Sequence, residues 1–330
     1  MKKIICQLSI ALLLSSFAKA QVEPHFSQYY VYPMWLNPGL TGAMEGSYRV
    51  TAVYRNQWGS LTSPFSTAAI SADVATEKNI NFGCNILNQT AGTAGYNYLN
   101  GQLSVAYTGV KFGQGGYHRI SMALQGGIIQ RRFDPSKFQT GDQWVPIIGY
   151  NPGVPTADVL SKNSSAVFDA GAGVAYYDAT PNAKANFFGG FSASHLNQPE
   201  DPFLSASKEK LPTRYTINAG IKFNLPDGGF VVPNALYMWQ GNAQEKMIGA
   251  YVQLPASYNT DVMFGLNYRL KDAIVPFAGV YYNNFLVGLS YDINASQLNN
   301  AAKNVNSFEI SISLIGNKTP ENNFLKCPRL

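Results

Sequence analysis

Serine and histidine side chains that could support hydrolysis lie close together in the stretch "FSASHLN". Ser192, Ser194 and His195 are the residue types of a nucleophile and its base. Neighbouring residues of a strand point to opposite faces, so adjacency in sequence does not give the geometry of a catalytic triad. The other histidines, His25 and His118, have no second His or Cys at a zinc-ligand spacing. The sequence therefore predicts no catalytic, cofactor-binding or metal site, with His195 at the end of a strand.

An aromatic segment, "HFSQYYVYPMWLNPGLTGA" (25–43), precedes the first regular pattern in the chain. Its apolar residues follow neither a helical nor a strand period, so the segment cannot bury its own aromatic rings. We expect it to plug a lumen from below or to dock a partner. The candidate residues are Phe26, Tyr29, Tyr30 and Trp35, with Arg55 and Trp58 in the first strand and the loop that follows it.

A second aromatic group lies in the stretch "FDPSKFQTGDQW" (133–144). Its candidate contact residues are Phe133, Phe138 and Trp144. Long connections often carry function. These side chains could bind a partner or pack over the mouth of the fold, and the sequence leaves both open.

Residues 1–20 have the features of a secretory signal peptide. Two lysines precede an apolar run (4–14) that is too short to span a bilayer, and 18–20 form a small-residue cleavage site. Removing this peptide leaves 21 basic against 19 acidic residues. The charge therefore gives no reason to expect nucleic acid as a partner. Cys84 and Cys327 remain and could pair in an oxidising compartment.

The composition is typical of a membrane β-barrel. Charged residues make up 13% of the chain, about half the usual share for a soluble domain, and aromatic residues also reach 13%. No apolar stretch after the signal peptide approaches the roughly 20 residues of a membrane helix. An exported chain with these properties is predicted to be an outer-membrane barrel in contact with lipid.

Repeated segments of about ten residues alternate between apolar and small or polar side chains, which is the pattern of barrel strands. A secreted β-sandwich also alternates, but it usually carries more charge on its solvent face. We therefore predict an all-β, transmembrane antiparallel barrel of about fourteen strands. The clear segments are 47–56, 79–86, 99–108, 214–223, 261–270, 284–292 and 307–315, and the weaker ones are 65–75, 117–130, 166–177, 186–196, 230–239, 246–254 and 274–282.

The connections agree with this strand count. If both chain ends are periplasmic, the odd-numbered connections face outside and should be longer. The two longest, 131–165 and 197–212, are odd-numbered. The predicted organisation is a signal peptide (1–20), an N-terminal periplasmic or plug segment (21–46), the barrel (47–316) and a periplasmic tail (317–330).

Five basic residues lie on the inward face of the predicted strands. These are Arg49, Arg55, Arg214, Lys222 and Arg269. They could line an anion-selective pore. They could instead pair with Asp73, Asp261 and Glu309 and so fill a closed lumen, which we favour.

Several motifs resemble the PorP/SprF family of the Bacteroidetes type IX secretion system, and together they span nearly the whole chain after the signal peptide. At the start are Phe-Ser-Gln-Tyr (26–29), Leu-Asn-Pro-Gly (36–39) and Tyr-Arg-Asn-Gln-Trp (54–58). Further matches are "FDAGAGVAYY" (168–177), "FFGGFSASHLNQP" (187–199), "GLSYDINAS" (288–296) and "CPRL" (327–330).

The resemblance implies a non-enzymatic outer-membrane barrel. Such a protein helps to export, or retains at the surface, proteins that carry a C-terminal sorting domain, including gliding adhesins. Its implied partners are type IX secretion components at the periplasmic face and the secreted cargo. Two alternatives remain open at this point: a plugged transporter for small hydrophobic or polar solutes, and an outer-membrane hydrolase dependent on His195.

Overall fold

The computed structural model describes residues 23–59, 64–92, 95–134, 137, 139–155, 163–200, 210–296 and 306–317. Across these ranges, no helix is long and apolar enough to cross a membrane. Cys84 forms no disulfide with another described residue, and Cys327 lies outside the described residues.

Fourteen antiparallel strands form one closed barrel, as the alternation predicts. Successive barrel strands pair along the chain, and the first strand closes the ring on the last. The strands are β1 (Tyr48–Gln57), β2 (Phe65–Val74), β3 (Ile80–Ala91), β4 (Tyr96–Phe112), β5 (His118–Arg132), the short pair β6 (Trp144–Val145) and β7 (Gly149–Tyr150) outside the barrel, β8 (Ser164–Asp178), β9 (Ala185–Ser194), β10 (Arg214–Asn224), β11 (Phe230–Gln240), β12 (Ala243–Ser257), β13 (Thr260–Arg269), β14 (Ala273–Tyr282), β15 (Phe285–Asn294) and β16 (Ser307–Gly316).

The barrel is apolar outside and polar inside along much of its wall. Large outward side chains are exposed, for example Leu103 at 68% and Leu124 at 71%, whereas inward Thr51 and Glu309 are fully buried. So many exposed apolar side chains are stable only where lipid replaces water. The fold is therefore a membrane barrel and not a β-sandwich.

The two ends of the barrel differ in their connections. The loop end carries the long connections between β5 and β8, between β9 and β10, and between β15 and β16. The turn end, where β1 begins, carries shorter connections such as 258–259 and 283–284. The sequence likewise predicts that the longer connections are odd-numbered and so lie at one end of the barrel.

Residues 23–47, here called the luminal segment, lie inside the barrel. They include one turn of helix, α1 (Pro33–Leu36), and a 3-10 turn (Pro38–Leu40). Glu23 contacts Tyr98 near the loop end, whereas the backbone N–H of Ser47 donates to Gly316 at the turn end. The contacts run the segment through the lumen, because the inward polar groups that bind it are spread along the whole wall.

Two glycines of the wall make room for the middle of this segment. A Cβ at Gly173 would lie 2.0 Å from Asn37 Oδ1, and one at Gly190 would lie 2.5 Å from Asn37 Nδ2. Asn37 donates from Nδ2 to the carbonyl of Val174 at 3.0 Å. Its Oδ1 accepts from the N–H of Gly39 at 2.8 Å. These contacts hold the 3-10 turn against β8 and β9.

We predict that Gly173→Val displaces the luminal segment, because the new side chain occupies the position of the Asn37 amide. Losing these buried hydrogen bonds costs about 1–3 kcal/mol. Chymotrypsin should then cleave the aromatic segment faster in detergent-solubilised protein. The control is Gly101→Val, since a Cβ at Gly101 meets nothing within 4 Å. Equal cleavage of both variants would contradict the packing described here.

Candidate functional site

The centre of the candidate site is a buried network around Arg55, near the loop end of the lumen. Arg55 donates to Asp292 at 2.9 Å and to Glu309. Arg269 donates to the same Asp292 oxygen at 2.6 Å. Ser27 of the luminal segment lies between them: its Oγ accepts from Arg55 at 2.8 Å and from Arg269 at 3.0 Å, and donates to Asp292 at 2.9 Å. The first strand and three later strands therefore meet on one serine of the segment.

The backbone of the segment is bound by the last strand. The N–H groups of Ser27 and Gln28 both donate to the Glu309 carboxylate. The Gln28 amide donates to Ser290 Oγ at 3.0 Å and accepts from Ser311 Oγ at 2.6 Å. Each of these groups is buried, so removing the segment from the lumen would leave it without a hydrogen-bond partner, which is unfavourable.

A second polar cluster holds the start of the segment at the loop end. His195 Nε2 lies 2.9 Å from Glu23, and its Nδ1 lies 2.8 Å from Asp169. Arg214 lies 3.0 Å from the same Glu23 carboxylate and 4.7 Å from the Trp35 ring centroid. Both nitrogens of His195 face carboxylates, so the ring is protonated on both.

The charges of this cluster shift the pKa of both partners. Burial lowers the pKa of His195, but the Glu23 carboxylate and the hydrogen bond to Asp169 outweigh it and raise the pKa from 6.5 to about 9. Burial raises the pKa of Glu23, but His195 and Arg214 hold it well below its usual range. The cluster is thus a buried ionic lock between the segment and the wall.

Aromatic side chains of the segment pack on an apolar part of the wall. Tyr30 stacks on Tyr251 at 4.9 Å between centroids and meets the edge of Phe277 at 5.6 Å. Tyr29 donates to Asn234.

The end of the segment is held at the turn end by Asp73. Arg49 makes a two-point contact with its carboxylate, at 3.0 and 2.8 Å. The N–H of Gly42 donates to Asp73 at 2.7 Å, and Arg49 donates to the carbonyl of Leu40 at 3.2 Å. The segment is therefore bound at both ends and along its length.

Two of the five inward cations pair with carboxylates of the predicted set. Arg49 pairs with Asp73, and Arg55 pairs with Glu309. Asp261 instead accepts from Gln253. Lys222 lies 3.8 Å from Glu45, and Arg214 binds Glu23, so the luminal segment supplies carboxylates that the strand pattern alone did not offer.

The candidate aromatic residues separate into three groups. Phe26, Tyr29 and Tyr30 are buried in the lumen, and Trp35 is partly buried there, donating to the carbonyl of Pro24 at 3.2 Å. Trp58 lies at the rim of the loop end against Phe65. The loop residues lie away from the segment: Phe133 packs on Tyr96, Trp144 is 57% exposed in the β6–β7 hairpin, and Phe138 lies outside the described residues.

The hydrolase alternative finds no support in the geometry. Ser192 donates to the carbonyl of Leu36, Ser194 accepts from Arg214, and His195 contacts carboxylates with both nitrogens. Neither serine is placed to give its proton to His195.

The predicted periplasmic tail (317–330) lies, apart from residue 317, outside the described residues. Its position therefore stays a prediction.

Sequence reasoning missed Glu23, Asp169 and Asp292 as site residues. A signal was present, because two of them lie in the motifs that carried the family resemblance. Those motifs meet in the lumen: Ser27 and Gln28, Asn37, Arg55, Asp169, Gly173, Gly190, His195, Ser290 and Asp292 all contribute to binding of the segment.

We predict that Arg55→Met strongly destabilises the barrel, because it leaves Glu309 buried without its cationic partner. Breaking a buried ion pair in this way costs about 3–5 kcal/mol. Urea unfolding of protein refolded into lipid vesicles measures the loss. In the control, Lys246→Met, the lysine lies over the Tyr237 ring at 5.3 Å on the outer wall, and its loss should cost about 1 kcal/mol or less. A comparable loss in both variants would contradict the network.

We also predict a pH dependence that His195 controls. A raised folded pKa contributes stability that is complete below pH 6.5 and lost as the pH rises through about 9. The contribution is on the order of 3 kcal/mol. The midpoint of thermal unfolding should therefore fall between pH 6 and 9.5 in the native protein and much less in His195→Gln. Equal falls in both would show that another group titrates.

Comparison with known proteins agrees with this architecture. The Ralstonia pickettii toluene transporter TbuX has a TM-score of 0.52 at 10% identity, over 86% of this chain and 92% of that chain. The CymD monoaromatic hydrocarbon channel gives 0.48 at 14% identity, over 86% and 91%, and the Pseudomonas putida toluene transporter TodX gives 0.48 at 6%, over 88% and 94%. At such identities the similarity to TbuX concerns the fold alone. Curated proteins give no match.

The family comparison covers most of the chain. The model of the type IX secretion system membrane protein family PorP/SprF matches residues 18–314, which include the whole barrel except the last two residues of β16. The protein therefore belongs to the PorP/SprF family of type IX secretion system membrane proteins.

Proposed function

We propose that this protein is a non-enzymatic outer-membrane barrel that assists export or surface retention of proteins with a C-terminal sorting domain. A large gliding adhesin is one candidate cargo. The proposed partners are type IX secretion components at the periplasmic face. The observation that carries the proposal is the convergence of the family motifs on the luminal segment.

The occupied lumen supports an accessory role over that of a conduit. An extended cargo chain could pass only if the segment left, and the segment is held by the Arg55 network, by the His195 lock and by Asp73. Each of these groups would then be left buried without its partner, at a cost of about 1–3 kcal/mol or more per group. Because its lumen is filled, the barrel can bind partners only at its two ends and not by passing them through.

The loop end is the proposed outer surface of the cell. Long loops face outside in bacterial barrels, and short turns face the periplasm. In this orientation Glu23 and His25 lie near the outer mouth. The luminal segment then extends from one side of the membrane towards the other, and both of its ends are within reach of a partner.

We predict that deleting residues 25–43 stops export of proteins with a C-terminal sorting domain. The deletion removes no strand, so the barrel should still reach the outer membrane and shift in mobility on heating. Mass spectrometry of the medium and of the cell surface should show loss of these proteins. The control, Leu124→Ala, changes an exposed side chain on the outer wall of the barrel and should leave export unchanged.

Two other outcomes would contradict the proposal. Normal insertion with normal export would make the segment a dispensable leader. Normal export together with new conductance in planar bilayers would make it a plug only, and would favour the transporter alternative.

A further inference from the structure

An unpaired arginine lies on the outer wall of the barrel at the loop end. Arg132 is the last residue of β5, and its side chain is exposed on the same outward face as Leu124 and Ile128. It makes no hydrogen bond or ion pair with another described residue. Its neighbours in the strand pairs are Asn97 of β4 and Ser164 of β8, which are uncharged. A guanidinium is always charged, so this part of the wall is positive.

An open cavity of about 540 Å³ lies beside this arginine. Gln130 and Ser164 line it and offer hydrogen-bond donors next to the guanidinium. Lys137 also lines the cavity, and its ammonium lies 3.6 Å from the carboxylate of Asp134. That pair is neutral as a whole, so Arg132 leaves the cavity with one net positive charge. The remaining residues of its lining are uncharged: Gly95, Phe133 and Asn163.

An apolar strip runs from this cavity towards the middle of the membrane. The strip between Arg132 and Leu124 is about 26 Å long, measured along β5. Half of the hydrocarbon core of a bilayer is about 15 Å thick, so the strip is long enough for the acyl chain of one leaflet. Its large exposed side chains are Leu99, Leu103, Leu124, Ile128 and Phe168.

A glycine gives this strip a shallow groove. Gly101 lies between Leu99 and Leu103 on the outward face of β4, and it pairs with Ile128 of β5. A Cβ at Gly101 would meet nothing within 4 Å, so the space above this glycine is open. The larger side chains on both sides of it form the walls of the groove.

We propose that the cavity binds the phosphate headgroup of an anionic membrane lipid, with an acyl chain of that lipid in the groove at Gly101. The guanidinium of Arg132 matches two phosphate oxygens with paired N–H donors, and Gln130 and Ser164 donate further hydrogen bonds. A free phosphate would use the cavity but leave the apolar strip uncovered. A zwitterionic lipid would bring a second cation next to Arg132. Such binding does not depend on the proposed role in export.

The test uses the purified full-length protein in a neutral detergent, and native mass spectrometry measures the apparent Kd of added lipids. Dioleoyl phosphatidic acid carries an anionic phosphate, whereas dioleoyl phosphatidylcholine has the same chains and no net charge. Phosphatidic acid should bind about tenfold more tightly, because a hydrogen-bonded charge pair at Arg132 contributes to its binding alone.

Two further probes separate the headgroup from the chain. Dihexanoyl phosphatidic acid has the same headgroup and short chains, and it should bind at least about tenfold more weakly than the dioleoyl form, because it buries fewer methylene groups. Glycerol phosphate in excess should not displace the dioleoyl lipid. Displacement by glycerol phosphate would show a site for phosphate alone and would contradict the proposal.

Arg132→Gln is the matched variant, because it removes the charge and keeps a polar side chain. It should weaken phosphatidic acid binding about tenfold and leave phosphatidylcholine binding unchanged. The control is Lys246→Gln, since Lys246 is also an exposed cation near the loop end but lies over the Tyr237 ring at 5.3 Å. This control should bind phosphatidic acid as the native protein does.

Heat-dependent mobility should be normal in both variants, since both side chains are exposed. Equal affinity of the native protein for phosphatidic acid and phosphatidylcholine would overturn the proposal. Equal losses in Arg132→Gln and Lys246→Gln would also overturn it, because they would show a general attraction of anionic lipid to basic residues.

Discussion

The pairing of charges inside a closed wall is the constraint on which this structure depends. Inward positions of the barrel carry arginines and carboxylates that are buried in the filled lumen, away from bulk water. Each of these charges therefore needs a partner inside the lumen. The strands of the wall alone do not supply a partner for every one of these charges. Glu23 and Ser27 of the luminal segment complete the sets around Arg214 and Arg55, so wall and segment form one electrostatic unit.

The motifs shared with the family are contacts of this unit. They are far apart in sequence, yet Gln28 meets Ser290 and Asn37 meets β8. Such motifs could have indicated catalysis, since they contain serine, histidine and aspartate. The geometry gives those residues another purpose, because they bind a segment of the same chain.

The strands were predictable because their signal is local. A period of two is visible within ten residues, and all fourteen predicted segments overlap barrel strands. Pairs on neighbouring strands, such as Arg49 and Asp73, were also predictable, because adjacent strands bring inward positions side by side. The sequence offered much less for the segment, since an irregular stretch has no period from which to infer its direction.

The cluster around His195 shows most clearly which contacts could not be predicted from the sequence. Glu23 lies 172 residues from His195, and Asp169 lies on a different strand. Only the path of the segment through the lumen brings the three together. The aromatic rings could be recognised as needing burial, but their partners, such as Tyr251, depend on that same path.

The seam between β1 and β16 has a consequence for the order of folding. The luminal segment lies beneath that seam, with Arg55 of β1 and Glu309 of β16 both bound to Ser27. Threading a bulky segment into a finished, filled cylinder would require breaking the contacts of the wall. Curling the sheet around a segment that already rests on the first strand requires no threading. Ser27 and Gln28 bind both strands of the seam from inside, so closing the ring and burying the segment are coupled.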